Sequence, residues 1–172
     1  LPWIGDIGGI VIKGRHGANN TNQDTIFAGH GADTVEAGGA DDLIYGGNGS
    51  DTASYQDATN DVSVYLQYTG IFVGGGQGAD TLINIENLTG GDFDDRLIGN
   101  SSDNYLTGGM GNDTIKGGRG DDLMNGGEGD DNIDARGGND TVEGGEGNDS
   151  IDGGSANDNL FGGEGNDVIV GG

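Results

Sequence analysis

Gly108-Gly109-Met110-Gly111-Asn112-Asp113-Thr114-Ile115-Lys116 has glycine at its first, second and fourth places, aspartate at its sixth and a large apolar residue at its eighth. The same nine-residue frame continues as GGRGDDLMN, GGEGDDNID, ARGGNDTVE, GGEGNDSID, GGSANDNLF and GGEGNDVIV. Its sixth places recur every nine residues without interruption at Asp95, Asn104, Asp113, Asp122, Asp131, Asp140, Asp149, Asp158 and Asp167. A fixed period of this kind indicates a repeat protein, because each repeat must make the same bend and bury the same side chain as its neighbours.

The eighth place of the frame is always apolar, which indicates a shared core. Its residues are Leu97, Leu106, Ile115, Met124, Ile133, Val142, Ile151, Leu160 and Ile169. Glycines clustered over four places permit turns with positive φ, whereas places seven to nine resemble a short strand with one side chain pointing inward. Each nonapeptide therefore predicts one turn and one strand, and two of them predict a coil of about eighteen residues in a parallel, all-β solenoid.

The sixth-place aspartates conflict with one another in such a coil, because stacked parallel strands lie about 4.8 Å apart. Two carboxylates at that distance repel by roughly 1 kcal/mol in water, and by roughly 3 to 4 kcal/mol at an effective dielectric constant of about 20. A positive charge between the turns would remove this repulsion. Carboxylate and carbonyl oxygens, in a chain with no cysteine and two histidines, favour a hard divalent cation. Calcium fits best, since magnesium prefers to keep its waters and zinc prefers nitrogen or sulfur.

These residues resemble the RTX, or haemolysin-type, calcium-binding family, whose nonapeptide Gly-Gly-x-Gly-x-Asp-x-U-x matches residues 90–170 almost throughout (U is a large apolar residue). The resemblance implies a calcium-bound parallel β-roll, which is a right-handed β-solenoid, with several Ca²⁺ ions. Each ion is implied to lie between two turns one coil apart. The earlier turn would supply carbonyls from its second and fourth places and its Asp, and the later turn carbonyls from its first and third places and its Asp.

The resemblance implies metal-ligand sets along both edges of the main repeat block. Along one edge these are Gly91 and Asp95 with Gly108, Met110 and Asp113; Gly109, Gly111 and Asp113 with Gly126, Glu128 and Asp131; Gly127, Gly129 and Asp131 with Gly144, Glu146 and Asp149; and Gly145, Gly147 and Asp149 with Gly162, Glu164 and Asp167. Along the other edge they are Gly118, Gly120 and Asp122 with Ala135, Gly137 and Asp140, and Arg136, Gly138 and Asp140 with Gly153, Ser155 and Asp158. In a shorter block nearer the amino terminus the set is Gly29, Gly31 and Asp33 with Gly46, Asn48 and Asp51.

Some repeats depart from the pattern, and these departures predict weaker sites. Asn100, Ser102 and Asn104 replace two glycines and the aspartate, so we expect the pairing of this repeat with Asp122 to be weak or empty. Arg136 must adopt a backbone angle that glycine takes without strain, and Ala156 also replaces a glycine.

The pattern divides the chain into four parts. Residues 1–27 form an amino-terminal cap, with Trp3 and several isoleucines, and a degenerate repeat; residues 28–54 are the first repeat block. Residues 55–89 are an irregular spacer within the solenoid, where Val62, Val64 and Leu66 alternate as in a strand. Residues 90–172 are the second block. Its end at Gly172 shows no cap, which predicts a fragment of a longer protein or further repeats.

Charge and composition narrow the possible functions. Thirty acidic and six basic residues give a formal charge of −24, which argues against nucleic acid and anionic membranes as partners. The sequence has no transmembrane run and no signal-peptide pattern. It also contains no zinc-protease, serine-hydrolase or nucleotide-binding motif, so we predict that it is not an enzyme. Such a charge predicts an expanded chain in calcium-poor cytoplasm that folds outside the cell, and the resemblance implies bacterial type I secretion.

Our first hypothesis is therefore a calcium-binding β-roll that serves as the scaffold and secretion or folding module of a larger extracellular polypeptide. An alternative is a module that binds extracellular polysaccharide for a secreted enzyme, through the spacer aromatics Tyr55, Tyr65, Tyr68 and Phe72. A segment of an adhesin is a third possibility, although the mixed seventh and ninth places do not form the ordered rows that a flat binding face needs.

Overall fold

The computed structural model describes residues 9, 11–13, 23–36, 38–66 and 78–172, which form seventeen β-strands and no helix. The strand pairings are parallel. No helix long and apolar enough to cross a membrane occurs within these ranges. The all-β parallel solenoid predicted from the period is therefore confirmed.

The strands form three sheets. The eight-stranded sheet contains, in order, β1 Val11–Lys13, β3 Thr34–Glu36, β5 Thr52–Ser54, β8 Asn87–Thr89, β10 Tyr105–Met110, β12 Leu123–Glu128, β14 Thr141–Glu146 and β16 Asn159–Glu164. The six-stranded sheet contains β6 Ser63–Tyr65, β9 Arg96–Ile98, β11 Thr114–Arg119, β13 Asn132–Gly137, β15 Ser150–Asp152 and β17 Val168–Val170. The three-stranded sheet contains β2 Thr25–His30, β4 Leu43–Asn48 and β7 Thr81–Ile83. Strands of the large sheet alternate along the chain with strands of one of the smaller sheets, as a two-sided coil requires, except in the spacer, where both β6 and β7 lie between β5 and β8.

The register repeats every two nonapeptides. Leu106 pairs with Met124, and Met124 pairs with Val142, so each eighth place lies beside the eighth place of the next coil. Hydrogen bonds between equivalent aspartates span the same eighteen residues. This register places like turns directly above one another along each edge of the solenoid.

The core consists of the eighth-place side chains. Leu97, Leu106, Ile115, Met124, Ile133, Val142 and Ile151 are all buried, and they continue into Leu88 and the apolar residues of the first block. The last two eighth places are the exceptions: Leu160 is only partly buried and Ile169 has 45 % of its surface exposed, because β16 and β17 lie at the edges of their sheets and are covered on one side only.

Several strands are longer than the three residues that the pattern predicts. β10, β12 and β14 continue through the first three places of the following repeat, and Gly109 pairs with Gly127 within them. The second-place glycines have positive φ angles, of 128° at Gly109 and 119° at Gly127. This conformation lets the ladder continue around the corner into the turn, where a residue with a side chain would be strained.

The spacer is bridged by the eight-stranded sheet. Thr52 of β5 pairs with Asn87 of β8, so this sheet runs from the first block into the second. Val64 in β6 is buried, as the alternating pattern predicts, and pairs with Leu97 of β9. Leu88 returns to the core after the shortened repeat.

Some of the predictions concern residues outside the described ranges. Trp3, Ile4, Ile7 and Ile10 of the predicted cap lie outside the described residues, as do Tyr68 and Phe72 of the spacer. Of the predicted cap, Val11–Lys13 forms β1, which pairs with β3 at one end of the large sheet. The division into four parts stays a prediction.

Met124→Ala and Leu123→Ala form a matched pair that tests the core. Met124 is 0 % exposed and its neighbour Leu123 on the same strand is 46 % exposed. We expect Met124→Ala to lower the free energy of unfolding by about 2 to 5 kcal/mol, and Leu123→Ala to lower it by less than about 1 kcal/mol. Denaturant unfolding in saturating calcium measures both. Equal losses would contradict the assignment of eighth places to the core.

Candidate metal centres

The sixth-place aspartates are buried and joined in a ladder. The backbone N–H of Asp113 donates to Oδ1 of Asp131 (2.7 Å), and the N–H of Asp131 donates to Oδ1 of Asp149 (2.9 Å). On the other edge, the N–H of Asp122 donates to Oδ1 of Asp140 (2.7 Å). Each bond joins one coil to the next, so one carboxylate oxygen is fixed by the backbone and the other is aimed into the turn.

The second carboxylate oxygen has no donor. Oδ2 is buried and accepts no hydrogen bond within the described part of the chain at Asp42, Asp51, Asp113, Asp122, Asp131, Asp140, Asp149 and Asp158. A buried carboxylate oxygen without a donor is costly, because it has lost its hydrogen bonds to water and gained none from the protein. This row of oxygens is the strongest indication in the structure that a cation belongs in the turns.

The pKa values of these aspartates show the same conflict. Burial raises the pKa of Asp113 to about 8, that of Asp122 to about 7 and that of Asp131 to about 6. The hydrogen bond from the preceding coil lowers each pKa, while the next carboxylate in the row raises it. In the absence of a cation, the buried row therefore favours protonated carboxyl groups.

The first-place glycines line a space shared by oxygens of two coils. A Cβ on Gly108 would collide with Oδ2 of Asp113 and lie 2.5 Å from the carbonyl oxygen of Gly126. At Gly126, the equivalent atoms are Oδ2 of Asp131 and the carbonyl oxygen of Gly144, the latter at 2.5 Å. Two electronegative oxygens thus face the same small space, and the carboxylate oxygen has no donor. Hard oxygens in this arrangement fit Ca²⁺.

The second- and fourth-place glycines bring further carbonyls close to the next turn. A Cβ on Gly127 would collide with the carbonyl oxygen of Gly109, and one on Gly129 would collide with that of Gly111. Gly109 and Gly111 are the residues that the family resemblance names as carbonyl ligands from the earlier turn. The same contacts recur one coil later, where Gly145 lies against Gly127 and Gly147 against Gly129.

Within the described residues, no group of three or more His, Cys, Asp or Glu side chains is arranged to hold a metal ion. Each implied ligand set contains two sixth-place carboxylates, and its other ligands are backbone carbonyls. A centre of this kind depends on turn conformation more than on acidic side chains. The individual ligand sets stay predictions.

The second edge contains two strained residues. Arg136 has a φ of 76° and Ala156 a φ of 94°, so both adopt the left-handed conformation expected at glycine positions of the repeat. A Cβ on Gly117 would lie 2.9 Å from the carbonyl oxygen of Ala135 and collide with Oδ2 of Asp122. The arrangement of oxygens on this edge therefore resembles that on the first, despite the substitutions.

Asn104 forms internal hydrogen bonds in place of a metal contact. Its Nδ2 donates to the carbonyl oxygen of Glu86 (2.8 Å), and its Oδ1 accepts the N–H of Asn100 (2.8 Å). Its own N–H still donates to Oδ1 of Asp122 (2.8 Å). The ladder therefore continues through Asn104 without an unpaired carboxylate, which supports the prediction of a weak or empty site between this repeat and Asp122.

Asp95 differs from the other aspartates in its row. Its Oδ1 accepts the N–H of Val62 (2.8 Å) and its Oδ2 accepts the N–H of Gly91 (2.6 Å). Both carboxylate oxygens therefore have donors. Of the sets implied by the resemblance, the one containing Gly91 and Asp95 receives the least support from the structure.

The first block repeats the arrangement of the main block. The N–H of Asp33 donates to Oδ1 of Asp51 (2.9 Å). A Cβ on Gly47 would collide with the carbonyl oxygen of Gly29, and one on Gly49 with that of Gly31. The structure therefore brings together the residues of the set predicted for this block.

The ligand sets predicted from the sequence leave out three acids around the spacer: Asp42 and Asp80, which occupy sixth places and are buried, and Glu86, which is half-buried. Asp42 also accepts an N–H from the previous coil, that of Asp24 (2.7 Å), and its Oδ2 has no donor in the described chain. Asp24 and Asp42 are eighteen residues apart, and this spacing in the sequence indicates that the two residues lie one above the other in successive coils. Glu86 accepts the N–H of Asp51 (3.0 Å), so a glutamate takes the place of the aspartate in the shortened repeat.

Asp80 is the third of these acids, and it is satisfied by a tyrosine. Its Oδ1 accepts the N–H of Asp42 (3.0 Å), while the hydroxyl of Tyr55 donates to its Oδ2 (3.3 Å). Both residues are buried, and burial raises the pKa of Asp80 to about 7 and that of Tyr55 well above its usual value. The insertion that separates Asp42 from Asp80 hides their pairing from a search at a fixed period.

The comparison with protein families identifies the repeat. The family model for the RTX calcium-binding nonapeptide repeat, which represents four copies, matches residues 19–53, 85–115, 107–142, 116–151 and 143–172. These matches cover more than half of the chain, so the protein belongs to the RTX calcium-binding repeat family. The resemblance inferred from the sequence is thereby confirmed, and the match supports calcium as the bound ion. A comparison with curated proteins gives no match.

The raised pKa values predict that acid stabilises the metal-free solenoid. An aspartate whose pKa is higher in the folded state contributes stability below its unfolded pKa of about 3.9 and loses it as the pH rises through the folded value. The stability is therefore lost between about pH 4 and about pH 8 for Asp113, and between about pH 4 and about pH 7 for Asp122, where the upper limits are their folded pKa values. We expect the strand signal in circular dichroism, recorded in chelator, to increase as the pH is lowered from about 8 to about 5.

Asp113→Asn and Asp130→Asn provide the comparison for this experiment. Asn at position 113 cannot ionise, so the metal-free strand signal should persist to higher pH. Asp130 is exposed, and hydrogen bonds from Asn148 lower its pKa, so Asp130→Asn should leave the transition in place. A strand signal that falls on acidification would contradict the inferred role of the buried row.

Tyr55→Phe tests the interaction at Asp80. Removing the hydroxyl leaves Oδ2 of Asp80 without a donor, and we expect a loss of about 1 to 3 kcal/mol in the free energy of unfolding. Tyr65→Phe is the matched control, because the half-buried Tyr65 hydroxyl accepts only an N–H from Arg96 (3.2 Å). A loss no larger than that of the control would show that the Tyr55 hydroxyl does not stabilise Asp80.

Proposed function

We propose that this chain is a calcium-dependent folding module of a larger secreted protein, in which it acts as a scaffold and as an aid to secretion. It would bind several Ca²⁺ ions along the two edges of the solenoid. Its contribution to the parent polypeptide would be structural, with no catalysis of its own.

The row of buried Oδ2 oxygens without donors carries this proposal. The same oxygens face carbonyl oxygens of the next coil, as at Asp113 and Gly126. Bound calcium supplies the positive charge that balances these carboxylates. The chain supplies the rest of the site, because the backbone N–H on Oδ1 orients each carboxylate and the glycines let the carbonyls approach.

Folding and metal binding are coupled by this arrangement. The sites join turns of different coils, so they exist only when the coils are stacked, and the binding free energy contributes to folding. With a formal charge of −24, the metal-free chain at neutral pH has little to offset the repulsion between its acids. A chain of this kind stays extended where calcium is scarce and folds where calcium is about millimolar, as it is outside cells.

These properties suit export by a pathway that accepts unfolded chains. We propose bacterial type I secretion, with an extracellular location for the folded module, because RTX repeats are typical of secreted proteins. The module would then fold after export and provide a stable support for the parent polypeptide.

The alternative of polysaccharide binding through the spacer aromatics receives less support. Tyr55 is buried and donates its hydroxyl to Asp80, so it offers no surface for a ligand. The guanidinium of Arg96 lies 5.9 Å from the ring centroid of Tyr65, and its Nε donates to the Tyr65 hydroxyl. Polysaccharide binding and an adhesin role remain alternative predictions.

A calcium titration followed by far-UV circular dichroism tests the proposed function. We expect a cooperative change from coil to strand between chelator and about 10 mM calcium, and no such change with magnesium. A chain that stays disordered in calcium, or that is fully folded in chelator at neutral pH, would contradict the proposal.

Adjacent substitutions in one turn sharpen the test. Asp131 belongs to two implied ligand sets, so Asp131→Asn should raise the calcium midpoint by about tenfold, as expected when a site loses a charged ligand. Asp130→Asn removes the same charge from an exposed side chain and should change the midpoint far less. Equal shifts would mean that net charge, and not site geometry, controls the transition.

A further inference from the structure

Two residues that depart from the repeat, Asn100 and Arg136, line one cavity at the second edge of the solenoid. This cavity has a volume of about 430 Å³ and is lined by Asn100, Ser101, Gly118, Arg119 and Arg136. We call it the arginine cleft. In a repeat protein, positions that escape the repeat are informative, because the shared fold does not require them.

The register explains why these residues meet. They come from three successive coils, which follow one another along this edge. The N–H of Arg119 donates to the carbonyl oxygen of Asn100 (3.0 Å), and Gly118 is paired with Arg136 in the next strand. The cleft is therefore formed by stacked backbone and exists only in the folded solenoid.

The arginine cleft concentrates positive charge in an acidic protein. Arg119 and Arg136 are two of only six basic residues in the chain, and both are exposed. Among the described residues, the guanidinium of Arg119 has no hydrogen-bond or ion-pair partner. Arg136 uses only Nε, which donates to Asp134 (3.3 Å), and Asp134 also binds Lys116 (3.2 Å). A guanidinium has five N–H donors, so most of those in the cleft are available.

The fifth-place acids of the same coils, Asp103 and Asp121, accept hydrogen bonds from the backbone. Oδ1 of Asp103 accepts the N–H of Asp121 (2.8 Å), and Oδ1 of Asp121 accepts the N–H of Asn139 (2.7 Å). The structure therefore shows these carboxylates in a ladder along the edge, and no ion pair joins them to Arg119 in the described chain. The cleft is left with an excess of donors over acceptors.

Arg136 also occupies a strained position. Its φ is 76°, whereas the same place in other repeats is held by glycine, as at Gly118, Gly127 and Gly145. A non-glycine residue in the left-handed region is strained, because its Cβ crowds the neighbouring backbone. Strain of this kind is commonly found at functional sites, and here the strained residue lines a cavity that Arg119 also lines.

We propose that the arginine cleft binds an oxyanion, that is, the carboxylate, sulfate or phosphate ester of an extracellular ligand. Arg119 and Arg136 would bind the charged oxygens, since a guanidinium matches the planar fork of a carboxylate and the edge of a sulfate or phosphate. The Ser101 hydroxyl offers an additional neutral donor. The proposal rests on the proposed function in one respect, because the cleft needs the calcium-folded solenoid.

Nuclear magnetic resonance of the arginine side chains provides a direct test. Calcium-saturated protein, labelled with ¹⁵N, is titrated with sodium sulfate, sodium glucuronate or methyl phosphate, and sodium chloride keeps the ionic strength constant. We expect saturable shifts of the Nε–H signals of Arg119 and Arg136 with at least one of these anions. The anion that binds most tightly distinguishes carboxylate, sulfate and phosphate ester as the group recognised.

Three substitutions separate the cleft from general electrostatics. Arg119→Gln and Arg136→Gly should each weaken anion binding by about tenfold, which corresponds to the loss of a charge-assisted hydrogen bond. Arg136→Gly also restores the glycine of the repeat and relieves the strain, so a folding defect is not expected. Arg96→Gln removes a cation beside Tyr65 instead, and should leave anion binding unchanged.

The possible failures are distinguishable. Circular dichroism in calcium shows whether the solenoid has folded before any anion is added, and an unfolded chain would contradict the proposed function. A folded protein that shows no saturable shift with the three anions would overturn the arginine cleft alone. Equal weakening by Arg96→Gln and Arg119→Gln would overturn it too, because the effect would then come from net charge.

Discussion

The hydrogen bond from a sixth-place N–H to Oδ1 of the next sixth-place aspartate is the interaction on which the rest of the structure depends. It joins coils along both edges, as from Asp113 to Asp131 and from Asp122 to Asp140. It also fixes the carboxylate so that Oδ2 faces the turn without a donor. The bond that aligns the coils thus creates an unbalanced charge. The geometry of the solenoid is therefore well specified, and it leaves a row of negative charges that a bound cation would balance.

The fifth-place residues form a second ladder of hydrogen bonds, which runs in the opposite direction to the sixth-place ladder. A comparison of the two ladders explains why the fifth place accepts both asparagine and aspartate. The N–H of Asp130 donates back to Oδ1 of Asn112, and that of Asn148 donates back to Oδ1 of Asp130. These side chains are exposed, so asparagine and aspartate serve equally well and both occur. At the buried sixth place the two residues differ. Both polar atoms of the Asn104 side chain form hydrogen bonds within the protein. An aspartate such as Asp113 has one carboxylate oxygen left over, which a metal ion could bind. Neighbouring positions with similar chemistry therefore have distinct roles because their burial differs.

Much of this fold could be predicted from the sequence, because the period determines the register. The eighth-place core, the parallel coils and the left-handed backbone of Arg136 all follow from position within the frame. The pairing of Asp42 with Asp80 could not be found in this way, since the spacer interrupts the count of residues between them. Nor could the role of Tyr55, because an aromatic residue outside the frame gives no sign of which acid it will meet. The double donation to Asp95 has the same origin, since one of its donors, Val62, belongs to the spacer.

Departures from the repeat have different consequences according to which atoms they change. Any residue type can supply a backbone carbonyl ligand. Arg136 can therefore replace glycine and keep the same backbone oxygen in place, although its φ of 76° is strained. A side-chain ligand has no such freedom, and the change to Asn104 removes the unpaired oxygen altogether. A substitution at a predicted backbone-ligand place can therefore change the surface chemistry of the solenoid and leave the backbone oxygen in position. Arg136 at the second edge is the clearest instance, because together with Arg119 it adds positive charge beside turns whose sixth-place aspartates, Asp122 and Asp140, remain buried, each with an Oδ2 that has no donor in the described chain.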